Sequence, residues 1–373
     1  MPGLELKNIS KSYQNGRKVI RDFSLVVEGG EFVILAGPEG CGKTTLLRMI
    51  AGLEEITSGT LLIDGEDMTH AEPRERKLAM LFQNGVLYPG MSVEENLTFA
   101  LSMQRLSQSE IDERLKETVS LLSLESILSS MPDQLTKAET YRALLGRALI
   151  RRPEILLLDR AMSGAEEEFA GGMLKEFRQI HEQTGITVIY ATDREDTVRM
   201  PGTRLVVMNE GMICQEGEPG EIYENPSCCF AACFVGRPPM NLLPASAALE
   251  NGRVRLSLPG GSLLLLKEAG ALLEQKGYIG KEIIMGIRPG DMRLLAERET
   301  EKDAGDGEIR GEFLETEDCG GRTYIRFQTG EYETVGLAGA LLPENAGETV
   351  RFSMAAVKVY LFDRETKEAI GAA

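Results

Sequence analysis

The chain opens on an alternation of apolar and polar positions over residues 4–9, which predicts a strand with one wet face, and residues 19–27 supply its partner beyond the turn Gln14-Asn15-Gly16. At 31–36 alternation gives way to a continuous apolar run. Glycines follow, and then Leu46, Leu47, Met49 and Ile50 recur at helical spacing, so the segment reads as buried strand, loop, helix. Short strands are expected at 59–65 and 78–82. From Ser92 to Leu149 the period turns helical: Ser107 and Glu110 have the spacing of a capping box, and Ile111, Leu115, Val119 and Leu122 share one face. The sheet resumes at 154–159 and 186–192, on either side of a helix over 167–182, and 205–208 with 212–215 form a hairpin across Asn209-Glu210-Gly211. Strands alternating with helices predict an α/β fold with a parallel sheet. Beyond Pro244 only short strands and glycine turns remain, at 253–258, 262–266, 282–287, 308–314, 323–327, 349–354 and 357–362, with an exposed polar loop at 296–307. That pattern predicts a small all-β barrel.

The loop after the first apolar run reads Gly37-Pro38-Glu39-Gly40-Cys41-Gly42-Lys43-Thr44, with Thr45 next, and fits G-x-x-x-x-G-K-[ST] between a strand and a helix. Glycines let backbone N–H groups wrap a phosphate, the helix start adds positive field, Lys43 reaches outer phosphates and Thr44 can hold Mg²⁺. Asp159, at the end of an apolar strand, is spaced as a magnesium-orienting carboxylate. Gln83 sits just past another core strand, where it can meet Mg²⁺ or an attacking water, or be an ordinary turn glutamine. Tyr13, ahead of the phosphate loop, either stacks on an adenine ring or simply packs. The expected ligands are therefore ATP and Mg²⁺, the metal falling to Thr44, Gln83 and Asp159.

Composition narrows the setting. With 373 residues there is room for two or three domains, and 58 acidic against 41 basic residues give a net charge of −17, which argues against general nucleic-acid binding. The N-terminus lacks a signal segment, no run of about 18 apolar residues occurs, and the six cysteines form no secreted disulfide framework, so a reducing, cytoplasmic setting is expected. Cys228, Cys229 and Cys233 lie close in sequence but lack the partners of a metal site, and partly buried thiols are expected there.

The order of these motifs, together with Leu87-Tyr88-Pro89 after Gln83, Gly146-Arg147-Ala148-Leu149, the run Phe230 to Asn241 and Gly286-Ile287-Arg288-Pro289, resembles the ATP-binding subunit of an ABC transporter. More closely it is similar to the maltose, multiple-sugar and glycerol-phosphate importer subgroup. The resemblance implies a P-loop ATPase domain over 1–235, with a helical subdomain at about 86–150, and an OB-like (TOBE) regulatory and dimerisation barrel over 236–373. It further implies a second ATP-binding subunit facing this one head to tail, transmembrane permease subunits touched near 83–89, and a peripheral position on the inner face of the membrane.

Four positions depart from the family pattern. The signature loop, normally Leu-Ser-Gly-Gly-Gln, is here Leu135-Thr136-Lys137-Ala138-Glu139, which keeps a capping box in Thr136 and Glu139 but puts Cβ atoms where bare backbone should approach the partner's phosphate. The glutamate that polarises water is replaced by Arg160, which stays protonated and cannot serve as a base. The switch histidine is replaced by Asp193, and the Ser-x-Leu-Asp loop reads Ser163-Gly164-Ala165-Glu166. Arg160 and Asp193 carry opposite charges at neighbouring strand ends, so either they pair with each other, Arg160 pairs with a phosphate, or both are solvated. The expected function is an importer subunit that binds Mg-ATP but hydrolyses it slowly or not at all. Its alternatives are a regulatory or structural pseudo-ATPase beside an intact chain, and a slow ATPase using Glu39 as base.

Overall fold

β1 (Leu4–Ser12) and β2 (Lys18–Val27) pair antiparallel with apolar side chains on one buried face, as their alternation demands. The computed structural model that places them describes residues 3–14, 16–102, 104–161, 167–195, 198, 200, 202–296, 306–339, 342–343 and 345–372, with 167, 168 and 372 as backbone only. The tip at Asn15, the loop 163–166 and most of 296–307 lie outside the described residues. Two units divide the chain, Met1–Pro219 and Gly220–Ala373.

In the first unit, β3 (Phe32–Ala36) leads through the phosphate loop into α1 (Lys43–Ala51), and β4 (Ser58–Ile63) and β5 (Glu66–Asp67) complete a sheet of order β2-β1-β4-β5. Next come β6 (Leu78–Leu81), the helical segment α2 (Val93–Phe99), α3 (Gln108–Leu122) and α4 (Lys137–Leu149), then β7 (Ile155–Asp159), α5 (Glu167–Thr184), β8 (Thr187–Thr192) and the hairpin β9 (Arg204–Asn209) and β10 (Met212–Gly217). Their sheet runs β10-β9-β3-β8-β7-β6, parallel from β9 to β6, with β10 antiparallel at its edge. β3, β7 and β8 are buried at every residue, which is why they read as unbroken apolar runs. Leu46, Leu47 and Ile50 of α1 pack into a core with Leu35, Leu157 and Ile189. Each such side chain contributes about 1.5–3 kcal/mol by leaving water. The capping boxes at Ser107/Glu110 and Thr136/Glu139 are both formed.

The second unit takes in α6 (Pro219–Glu224) from its second residue onward and α7 (Cys229–Phe234). Arg288 helps to hold them there. Its buried guanidinium donates to the carbonyls of Ala232 (2.6 Å) and Tyr223 (2.7 Å) and lies over the Tyr223 ring, while Cys229 and Ala232 pack with Met240 and Phe362. The strands are β11 (Asn241–Glu250), β12 (Arg253–Leu258), β13 (Gly261–Leu264), then α8 (Lys267–Gln275), β14 (Glu282–Ile287), β15 (Met292–Leu294), β16 (Gly307–Cys319), β17 (Arg322–Thr329), β18 (Tyr332–Leu337), β19 (Thr349–Met354), β20 (Val359–Asp363) and β21 (Ala369–Ala372). The chain of pairings β17-β18-β15-β19-β16 closes when β16 pairs back with β17, giving a five-stranded barrel, and the remaining strands extend from β16 through β13. Two expectations shift: the strand expected over 262–266 stops at Leu264 because Leu266 is the N-cap of α8, and a 3-10 turn at 356–358 delays the last long strand to Val359. No helix among the described residues is long and apolar enough to cross a membrane.

Candidate functional site

Strand β3 stops where the loop must turn beneath a ligand. At Gly37 an added Cβ would stand 2.1 Å from the carbonyl oxygen of Met208, and Gly42, the residue preceding α1, holds a left-handed φ of 112°. Only glycine meets both demands. The loop is thereby wrapped tightly enough that Lys43, buried, turns its Nζ back onto the carbonyls of Gly37 (2.7 Å) and Pro38 (2.8 Å) and onto Cys41 Sγ (3.5 Å). Gly40, Gly42, Lys43, Thr44 and Thr45 line a cavity of about 240 Å³ with Tyr13, Arg17, Val19 and Arg160. Tyr13 is 39% exposed there, with Lys11 Nζ 5.2 Å from its ring centroid.

Behind the loop, Thr44 donates its hydroxyl hydrogen to Asp159 Oδ1 at 2.8 Å, across 115 residues of sequence. Burial pushes the Asp159 carboxyl above its ordinary value, opposed by the Thr44 hydrogen bond and by the charges of Arg48, Arg160 and Lys43. Hydroxyl and carboxylate in contact are the donor set a magnesium ion takes beside phosphates. Gln83 does not join them. The turn closed by Gly85 N–H to Phe82 O (3.0 Å) leaves Gln83 exposed, and it is not part of the cavity lining.

Just past the ends of β7 and β8 stands an ion pair. Arg160, with a left-handed φ of 47° and its N–H on the Ala191 carbonyl (3.0 Å), places Nη2 2.7 Å from Asp193 Oδ2 and Nη1 3.0 Å from Glu39 Oε1. Burial alone would lower the Arg160 pKa, but the bonds and charges of Glu39 and Asp193 raise it on balance, so the group stays cationic. Glu39 is the exposed partner of that guanidinium. The Glu39 contact and the participation of Arg17 and Val19 were not foreseen. An acidic residue inside the phosphate loop was the available sign of the first, and nothing in the sequence pattern marked the others.

Elsewhere in the first unit, α4 is capped by Thr136, whose Oγ1 accepts the Glu139 N–H (3.3 Å) while Glu139 Oε2 accepts the Thr136 N–H (2.8 Å). The Thr136 N–H and the Thr136 hydroxyl (2.7 Å), both donating to that carboxylate, hold it below its ordinary value. Lys137 is exposed at the helix start. A separate groove of about 600 Å³ runs beside β6, α2 and α4, its apolar wall including Phe82, Tyr88, Phe99 and Leu144 and its polar wall Arg147 and Arg151. Tyr88 meets Phe99 edge to face at 5.2 Å and carries Arg147 over its ring at 5.2 Å. Among the described residues no cluster of ligating side chains marks a separate metal site, and Cys229 is buried while Cys228 and Cys233 are partly so.

Comparison with known proteins gives the following. Residues 20–163 match the ABC transporter family and residues 236–292 the MalK OB fold domain. Over 99% of its length the chain is 35% identical to the whole of an uncharacterized ABC transporter ATP-binding protein, YcjV, of Escherichia coli O6:K15:H31. Over 97% of both chains it is 37% identical to the sn-glycerol-3-phosphate import ATP-binding protein UgpC of Brucella abortus. Among solved structures it is similar to cbiO1 of Clostridium perfringens, part of the ABC transporter complex cbiONQ, with TM-score 0.56 and 23% identity over 59% of this chain and 90% of that one.

Proposed function

This chain belongs to the ATP-binding proteins of ABC transporters, and on that premise we propose that it is an importer subunit of the sugar or glycerol-phosphate class that holds Mg-ATP but hydrolyses it slowly or not at all. One observation carries the reading: Lys43, Thr44 and Asp159 remain assembled around the phosphate-loop cavity, while the adjoining strand ends carry the Arg160–Asp193 ion pair.

The phosphate loop and the start of α1 supply N–H groups and Lys43 for a triphosphate, Thr44 and Asp159 would hold its Mg²⁺, and Tyr13 offers a ring to the base. Bound Mg²⁺ would neutralise charge on the phosphate oxygens. Arg160, always protonated, accepts no proton from water, so the strand-end position that it fills supplies no general base. At the partner's nucleotide, Lys137 and Ala138 keep the backbone from the close approach that glycines allow. The groove lined by Phe82, Tyr88 and Phe99 suits an amphipathic segment of a permease, which would place the protein peripherally on the inner membrane face. The barrel unit is read as the surface that meets a second ATP-binding chain.

Equilibrium titration of the full chain with Mg-ATP, and co-purification with permease subunits, tests the reading. Binding together with complex formation supports it, and absence of either counts against it.

A further inference from the structure

The two ion pairs of Arg160 described above are unequal. The Glu39 side chain is 78% exposed and the Asp193 side chain 22% exposed, while that of Arg160 is 17% exposed. Solvent screens the Glu39 contact and long side-chain entropy opposes it, whereas the Asp193 contact is sheltered and shorter. Arg160 is also tethered at its backbone by the bond to Ala191 and lines the cavity with Lys43 and Thr44, so its guanidinium already stands at the ligand's wall.

We propose that Glu39 is a stand-in for phosphate: Arg160 keeps Asp193 and exchanges Glu39 for an oxygen of the terminal phosphate, which makes this pair of residues a selector of nucleoside triphosphate over diphosphate. The inference rests on the reading that the cavity holds ATP. A carboxylate and a phosphate oxygen compete for the same fork of donors, and a guanidinium accepts either in charge-assisted hydrogen bonds. Glu39, the exposed arm, is the one given up. While Glu39 occupies that guanidinium the phosphate must displace it, so the loop carries a built-in brake on triphosphate entry that acts through Arg160.

The test is titration of the full-length chain with Mg-ATP and Mg-ADP, for the unmodified protein and the variants Glu39→Gln, Arg160→Gln and the double variant. Glu39→Gln alters an exposed group, so its folding is secure. It is expected to tighten ATP about fivefold with a smaller effect on ADP. Arg160→Gln is expected to weaken ATP by about 10- to 100-fold and leave ADP nearly unchanged. In the double variant the Glu39 effect should vanish. If Glu39→Gln shifts both nucleotides equally or neither, or if Arg160→Gln leaves the ATP-to-ADP ratio unchanged, the exchange is wrong while ATP binding stands. If the unmodified chain binds neither nucleotide, the functional reading falls as well.

Discussion

Arg160 and Asp193 stand 2.7 Å apart, Nη2 to Oδ2, at the carboxyl ends of the adjacent parallel strands β7 and β8. On the proposed reading, these two residues stand in for a base and an imidazole. Returning those groups in the double variant R160E/D193H should raise single-turnover ATP cleavage by about 10²- to 10⁴-fold, the usual worth of a positioned general base. ADP release measured by rapid quench checks this. No gain would mean that the strand-end groups are not what limits cleavage.

Helix α4 should depend on its cap at Thr136. Thr136→Ala removes the oxygen that accepts the Glu139 N–H and should cost about 1 kcal/mol in denaturant unfolding. Lys137→Gly, at the exposed first helical position, should cost no more than about 1 kcal/mol.

Much of this could be read in advance, and the reasons differ by residue. The phosphate loop announces itself because strand, glycine spacing and helix are contiguous in sequence, and Thr136 and Glu139 announce a helix start because a cap is local. The runs of β3, β7 and β8 read as core because both of their faces are buried. By contrast, the Arg160–Glu39 contact joins residues 121 apart, and no local pattern encodes which of several carboxylates a guanidinium will meet. Gln83, whose place after a strand suits a partner of metal or water or an ordinary turn glutamine, is exposed at the turn 82–85 and outside the cavity lining. Helix α8 follows a leucine run that reads equally well as strand, and residues 220–235 are tied to the second unit by distant partners, Arg288 and Phe362 among them, that no local pattern marks.

That side chain should matter to stability. Arg288→Ala leaves the carbonyls of Ala232 and Tyr223 without their donor and empties a buried volume beside Tyr223, at a cost of about 3 kcal/mol or more. Thermal melting of the full chain should show the loss, and limited proteolysis should cut first within 220–236. Unchanged melting and protection would contradict the anchoring role.

The barrel unit should be acid-sensitive in a defined window. The Arg351 and Arg310 guanidiniums hold the Glu308 carboxyl down to about 2, from an ordinary 4.5. The Thr366 N–H and the Tyr278 hydroxyl hold Asp363 at about 2 as well. A carboxylate with a depressed folded pKa contributes stability that is complete above its unfolded value and is lost as pH falls through the folded one. Stability should therefore hold above pH 4.5 and decline toward pH 2, and Glu308→Gln should flatten that decline. Unfolding free energy against pH, followed for both proteins, checks the sign.

Single-turnover hydrolysis of radiolabelled Mg-ATP by the full chain, assembled with its permease and run beside an intact relative, goes most directly to the central claim. The account predicts that ATP is retained and recovered uncleaved, with ADP appearing at least about 10²-fold more slowly than from the relative. ADP formed at the relative's pace by this chain's own site, or failure to retain ATP at all, would contradict it.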